Sequence, residues 1–156
     1  MSRARSKARR GALQALYQWQ LSSGDDSLPT IERQLIAERD LGELDTEYFH
    51  ELLNEIGRRC GDFDQRIAPL LDRPLAQLDP VEHAVLWIGC YELEARWDIP
   101  FRVVIAEALE LTKQFGGENA HRYVNAILDR LARDLRAAER ALPSCCMCRR
   151  TSWSTM

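Results

Sequence analysis

Five cations, Arg3, Arg5, Lys7, Arg9 and Arg10, crowd the amino end, and no acid appears before Asp25, although the 156-residue chain carries a formal net charge of −3. Turned at 100° per residue, Arg3, Lys7, Arg10, Gln14 and Tyr17 step down one side of a helix. Ala12, Leu13, Leu16, Trp19 and Gln20 gather on another. One side reads as core. The other reads as a basic stripe that ends in an aromatic ring. Positive charge spaced along a rod meets phosphates, and a ring beside it can stack on a base, so this combination suits a single-stranded nucleic acid.

Two other stretches carry polar chemistry. Phe115-Gly116-Gly117-Glu118-Asn119-Ala120-His121-Arg122-Tyr123 ends one helix and opens another. It offers Arg122, Tyr123 and helix N-terminal amides able to hold a phosphate, while Tyr123 reads equally well as a core residue. Glu82, Glu92 and Glu94 lie among aromatic residues. They form either an acidic surface for a basic protein partner or ordinary surface charge.

Catalytic constellations do not emerge. The chain has no G-x-x-x-x-G-K-[ST], no G-x-G-x-x-G, no H-E-x-x-H and no G-x-S-x-G. His50, His83 and His121 are scattered at spacings that suit no metal. No enzyme, cofactor or metal is expected. A binding module is.

The elements that must position these groups are helices. Apolar residues recur every three or four positions in segments opened by Pro29, Asp45, Asp79-Pro80, Pro100 and Asn119, with a short helix at Ile67 to Leu71 limited by Pro74. Asp45 and Asp79 read as N-caps, Pro80 as a first helical residue, Gly116-Gly117 as a C-cap and Asn119 as a cap for the last helix. Ser22 to Asp26 reads as a turn and Asp40 to Leu44 as a connector. The segment from Val81 to Leu93 is apolar nearly all round, as expected of a central helix. The fold class is all-α, with about seven helices joined by short connectors and packed as small bundles.

Hydrophobic residues make up 46% of the chain, enough to bury one core. No apolar run approaches the roughly 18 residues of a membrane span. The five cysteines are an odd number and unevenly spread. A reducing, cytoplasmic location is therefore expected, with Cys60 and Cys90 as reduced thiols. Residues 143–156, with Cys145, Cys146 and Cys148, show no periodicity and are expected to form a disordered tail behind a domain of residues 1–142.

The residues also carry a resemblance. Arg9-Arg10-Gly11-Ala12-Leu13-Gln14-Ala15-Leu16-Tyr17 resembles the opening helix of the NusB family of bacterial transcription antitermination factors. Asp45-x-x-Tyr48-Phe49-x-x-Leu52-Leu53 and Leu78-x-x-Val81-Glu82-x-Ala84-Val85-Leu86 follow the same pattern. Most specific is the block from Pro100-Phe101 through Glu107-Ala108-x-Glu110-Leu111 to His121-x-Tyr123-Val124-Asn125. Together these run from about Arg5 to Ala137.

The resemblance implies two three-helix bundles and an arginine-rich arm. It also implies binding to the boxA element of nascent ribosomal RNA leaders, in company with the ribosomal protein NusE, and indirectly with other Nus factors and RNA polymerase. Carried over by position, Arg5, Lys7, Arg9, Arg10 and Gln14 would face RNA from the first helix, joined by Phe115, Arg122 and Tyr123. Tyr17 and Glu82 would lie towards NusE. This chain departs from the family at Ala126, a methyl where helices could pack closely, and at Trp87, a place often held by a basic residue. Two alternatives are a NusB-like domain from an rRNA cytosine methyltransferase, which would make the chain a fragment, and a helical protein-interaction adaptor.

Overall fold

Two aspartates start two of the principal helices. Asp45 accepts a hydrogen bond from the Tyr48 amide at 3.0 Å, and Asp79 accepts one from the Val81 amide at 2.8 Å. Each satisfies a donor that the first helical turn leaves open. The computed structural model describes residues 3–22, 27–38 and 45–137. Within them lie six α-helices: α1 (Arg3–Leu21), α2 (Leu28–Glu38), α3 (Thr46–Ile67), α4 (Pro80–Ala95), α5 (Phe101–Phe115) and α6 (Ala120–Leu135). Short 3-10 turns occupy Ala68–Leu70 and Leu75–Gln77, and there is no strand among the described residues. The expected turn at 23–26, the connector at 40–44 and the cysteine-containing tail lie outside them.

The short helix expected at Ile67 to Leu71 is a 3-10 turn running straight on from α3. Gly57 and Gly61 do not end α3. A methyl at Gly57 would lie 2.7 Å from Leu28 Cδ1, so the missing side chain admits α2, while Gly61 faces open space. Helices α1, α2 and α3 pack on one another, as do α4, α5 and α6, and α4 joins the two groups through α1 and α3. That position explains why α4 is apolar on all sides: Ala84 through Leu93 are all buried. Gly89 lets α6 close in, because a methyl there would sit 2.6 Å from Leu128 Cδ2. Burial pushes the Cys90 thiol up to about 12, which leaves it a small inert hydrophobe.

The junction of α5 and α6 works differently from the sequence expectation. Gly116 follows α5 in extended backbone, φ −88° and ψ 173°, and is needed for space: a methyl would lie 2.7 Å from the Thr112 carbonyl. The left-handed residue is Asn119, φ 65°, and its side chain makes no capping hydrogen bond. Asparagine tolerates this conformation better than most residues, so it contributes backbone shape rather than a cap. Ala126 is exposed. Its methyl points away from the packing it was expected to crowd.

A residue without a periodicity signal locks the second bundle. Arg136, fully buried just past α6, donates to the carbonyls of Glu92, Leu93, Arg96 and Ile99 at 2.7–3.0 Å. These belong to the end of α4 and the turn after it, where unpaired carbonyls and the helix dipole favour a cation. Arg136→Met should lower stability by about 2–4 kcal/mol, since it strands several buried acceptors. A urea midpoint unchanged from wild type would show those carbonyls to be satisfied otherwise.

Candidate nucleic-acid interface

Helix α1 separates its cations by phase. Arg3 and Arg10 are exposed, and Tyr17 on the same side is 39% exposed; Lys7 and Gln14 between them are half-buried. The stripe read from the sequence thus lies on the outside of the helix. Neither Arg3 nor Arg10 forms an ion pair among the described residues. Arg5 is partly committed: its guanidinium is 3.5 Å from Asp98 and 5.1 Å from the centre of the Tyr48 ring.

Arg9 does not belong to this surface. It is 1% exposed, and its Nε and Nη2 both donate to Glu92 Oε2 at 2.8 Å. The Tyr48 hydroxyl donates to the same oxygen. Glu107 stands 3.9 Å from Arg9 Nη1 and accepts from Ser6 at 3.2 Å. Burial works against the Arg9 charge, but the Glu92 carboxylate outweighs it and holds the guanidinium more firmly protonated than usual. The reason was present in the spacing. Arg9 sits three, four and seven residues before Ala12, Leu13 and Leu16, so it occupies a core position. Tyr48, buried beside Glu92, has its hydroxyl pKa raised, by burial first and by Glu92 next.

The acidic surface expected at Glu82, Glu92 and Glu94 is likewise mostly internal. Glu92 is fully buried against Arg9; Glu94 pairs with Arg59 and lies 3.5 Å from Arg66; Glu82 is 7% exposed. A helix that must pack on every side draws its carboxylates inward, and each charge then needs a partner. Burial, and secondarily Asp79, raises the Glu82 carboxyl. Glu82 therefore shapes the start of α4 and offers little open contact. Trp87 also points inward, 4% exposed, with its indole N–H donating to Asp64 at 2.8 Å and its ring 4.1 Å from that of His83.

At the far end of α5, Phe115 is 49% exposed, and Arg122 is exposed in the first turn of α6. Tyr123 is half-buried. Its hydroxyl accepts from the Asp72 amide at 3.4 Å, and Arg73 stands 4.6 Å over its ring. Asp72 and Arg73 went unnoticed in the sequence because the segment between α3 and α4 has no periodicity to read. Ser6 and Arg9 touch Glu107, eight residues before Phe115 on the same helix. Among the described residues no group of three or more His, Cys, Asp or Glu side chains could hold a metal, and no helix is long and apolar enough to cross a membrane.

Fold and site together describe a double three-helix bundle whose first helix turns a row of cations and a tyrosine outward. Comparison with known proteins narrows that class. The NusB family model matches residues 6–133, and the chain belongs to the NusB family, with curated relatives named transcription antitermination protein NusB. The transcription antitermination protein NusB of Nitrosococcus oceani is 50% identical over 139 residues, covering 89% of this chain and 92% of that one. That of Alcanivorax borkumensis is 48% identical over 136 residues, covering 87% and 89%. Among solved structures, NusB of T. maritima superposes with a TM-score of 0.76 at 31% identity, covering 86% of this chain and 94% of that one. A crystal structure of antitermination factors NusB and NusE in complex with dsRNA superposes at 0.77 with 25% identity, covering 86% and 99%.

Two outcomes test this geometry. Arg9→Met should cost about 3–5 kcal/mol, because it leaves Glu92 buried and unpaired. Adding Glu92→Gln should recover part of that loss; equal stability of Arg9→Met and wild type would place Arg9 at the surface after all. Glu82→Gln should raise the urea midpoint at pH 7. A carboxyl whose folded pKa is raised destabilises the fold above its unfolded pKa. The gain should therefore vanish as pH falls below the ordinary carboxylate range. A gain that persists at low pH would contradict that cause.

Proposed function

We propose that this chain is a transcription antitermination factor that contacts the boxA element of ribosomal RNA leaders through the outer stripe of α1. The observation that carries the reading is the division within α1: Arg9 is spent inside, while Arg3, Arg10 and Tyr17 stay outward with Lys7 and Gln14 between them. Arg3, Arg5, Lys7, Arg10 and Gln14 form the main contact, with Phe115, Arg122 and Tyr123 as a second group. Arg9 acts by fixing the helix on which the others stand. Residues 1–142 act as the binding domain.

NusE is the proposed protein partner. A structural relative was crystallised as NusB with NusE and dsRNA, which supports the partnership. Tyr17 and the first turn of α4, where Glu82 sits, are assigned to the NusE side. Other Nus factors and RNA polymerase would be reached through that complex in the cytoplasm.

Four phosphates met by Arg3, Arg5, Lys7 and Arg10 give a log K against log salt slope of about −3 for a single strand. Between 50 and 200 mM salt the affinity should fall roughly fiftyfold. Arg3→Ala, Lys7→Ala and Arg10→Ala combined should reduce that slope by about 2 and leave the melting temperature almost unchanged. Binding of single-stranded boxA RNA, with and without purified NusE, reads both effects. A slope near zero in the wild-type protein would favour the adaptor reading.

A further inference from the structure

Trp97 is the most exposed tryptophan, tyrosine or phenylalanine among the described residues, at 53%. It lies in the turn between α4 and α5. Its placement is fixed rather than accidental. The indole N–H donates to the Glu94 carbonyl at 3.1 Å, and the Arg136 guanidinium sits 4.5 Å from the ring centre. Arg136 is itself fully buried and tied to four carbonyls. The ring therefore has an inner side covered by a rigid cation and exposes the rest to solvent.

The surroundings suit a polyanion. The next residue, Asp98, is 3.5 Å from Arg5 of the arm and 3.1 Å from Arg96, which also reaches Glu51 at 3.0 Å, so two guanidinium groups and two carboxylates form one ion-paired cluster beside the ring. Arg102, in the first turn of α5, is exposed and stands over the Phe101 ring at 5.7 Å. The arm thus meets the turn through Arg5 and Asp98, next to the indole, and the exposed Arg102 follows at the start of α5.

We infer that Trp97 is a stacking platform for an unpaired base of the RNA strand whose phosphates the α1 arm holds. A large flat ring that is already ordered loses little freedom on binding. Every base has a face to offer it, so the contact adds affinity without reading sequence. The guanidinium beneath the ring completes a cation–indole–base sandwich. This inference rests on the RNA reading of α1 and extends that contact around the amino end of the first helix onto the α4–α5 turn.

The test measures binding of a 12-nucleotide single-stranded boxA RNA to the full chain, its Trp97→Leu and Trp97→Phe variants, and the triple α1 variant described above. Trp97→Leu should weaken binding by about ten- to hundredfold, the usual worth of one base–aromatic stack. Its salt slope should stay that of wild type, because no charge is lost. Trp97→Phe should keep most of the affinity yet lose the part of RNA-induced fluorescence quenching that Trp97 contributes. If Trp97→Leu binds like wild type while the triple variant does not, the platform is overturned and the α1 contact stands. If the wild-type chain binds no RNA, both are overturned. Should Trp97→Leu unfold, Trp97→Phe decides: quenching equal to wild type overturns the proposal.

Discussion

The buried cluster of Arg9, Glu92 and Tyr48 is the constraint on which the rest of the molecule depends. It joins α1, α3 and α4, the three helices through which the two bundles meet, and Glu107 and Ser6 extend it to α5. A charge taken out of water is tolerated only with a partner, so these helices have few ways to slide or rotate against one another. An apolar seam of equal volume would hold them as tightly but specify their rotation less. Here the phase of α1 is set by one guanidinium, and that phase decides which of its cations face outward.

The same logic recurs at the other end of α4. Arg136 collects carbonyls from the last turn of that helix and from the loop beyond it, and its guanidinium supports the indole of Trp97. In both places a buried arginine does structural work that leaves an exposed group correctly aimed: Arg10 and Tyr17 on one side, Trp97 on the other. The chain's net negative charge is compatible with the proposed RNA-facing edge because many carboxylates are paired with arginines, Glu92 with Arg9, Glu94 with Arg59 and Glu51 with Arg96. What a polyanion meets is the local field, and net charge says little about it.

Much of this was legible in the chain. Helix starts at Asp45 and Asp79, the all-round burial of α4 and the outward stripe of α1 follow from capping chemistry and from the 3.6-residue period. The family resemblance follows from motifs spread over most of the length. Arg9 is misplaced when it is carried over by position from the family resemblance, because its phase with Leu13 and Leu16 puts it in the core. Glu92 was misplaced for a related reason, since a carboxylate on a helix with no outer side has nowhere else to go. Arg136 and the Asp72–Arg73 contact with Tyr123 depend on which segments meet in space, and neither period nor composition carries that information. Gly116 is the C-cap of α5, as the sequence suggests, and close approach to Thr112 rather than a positive φ is what excludes a side chain there.

The central claim is that one helix uses its arginines for two separate purposes, and arginine Nε–H resonances read that division directly. On titrating the protein with single-stranded boxA RNA at low salt, the Nε–H signals of Arg3 and Arg10 should shift or broaden and return as salt is added. Those of Arg9 and Arg136 should hold their positions and remain protected from exchange with water. Shifts at Arg9 as large as those at Arg10, or no shift at either, would contradict the account.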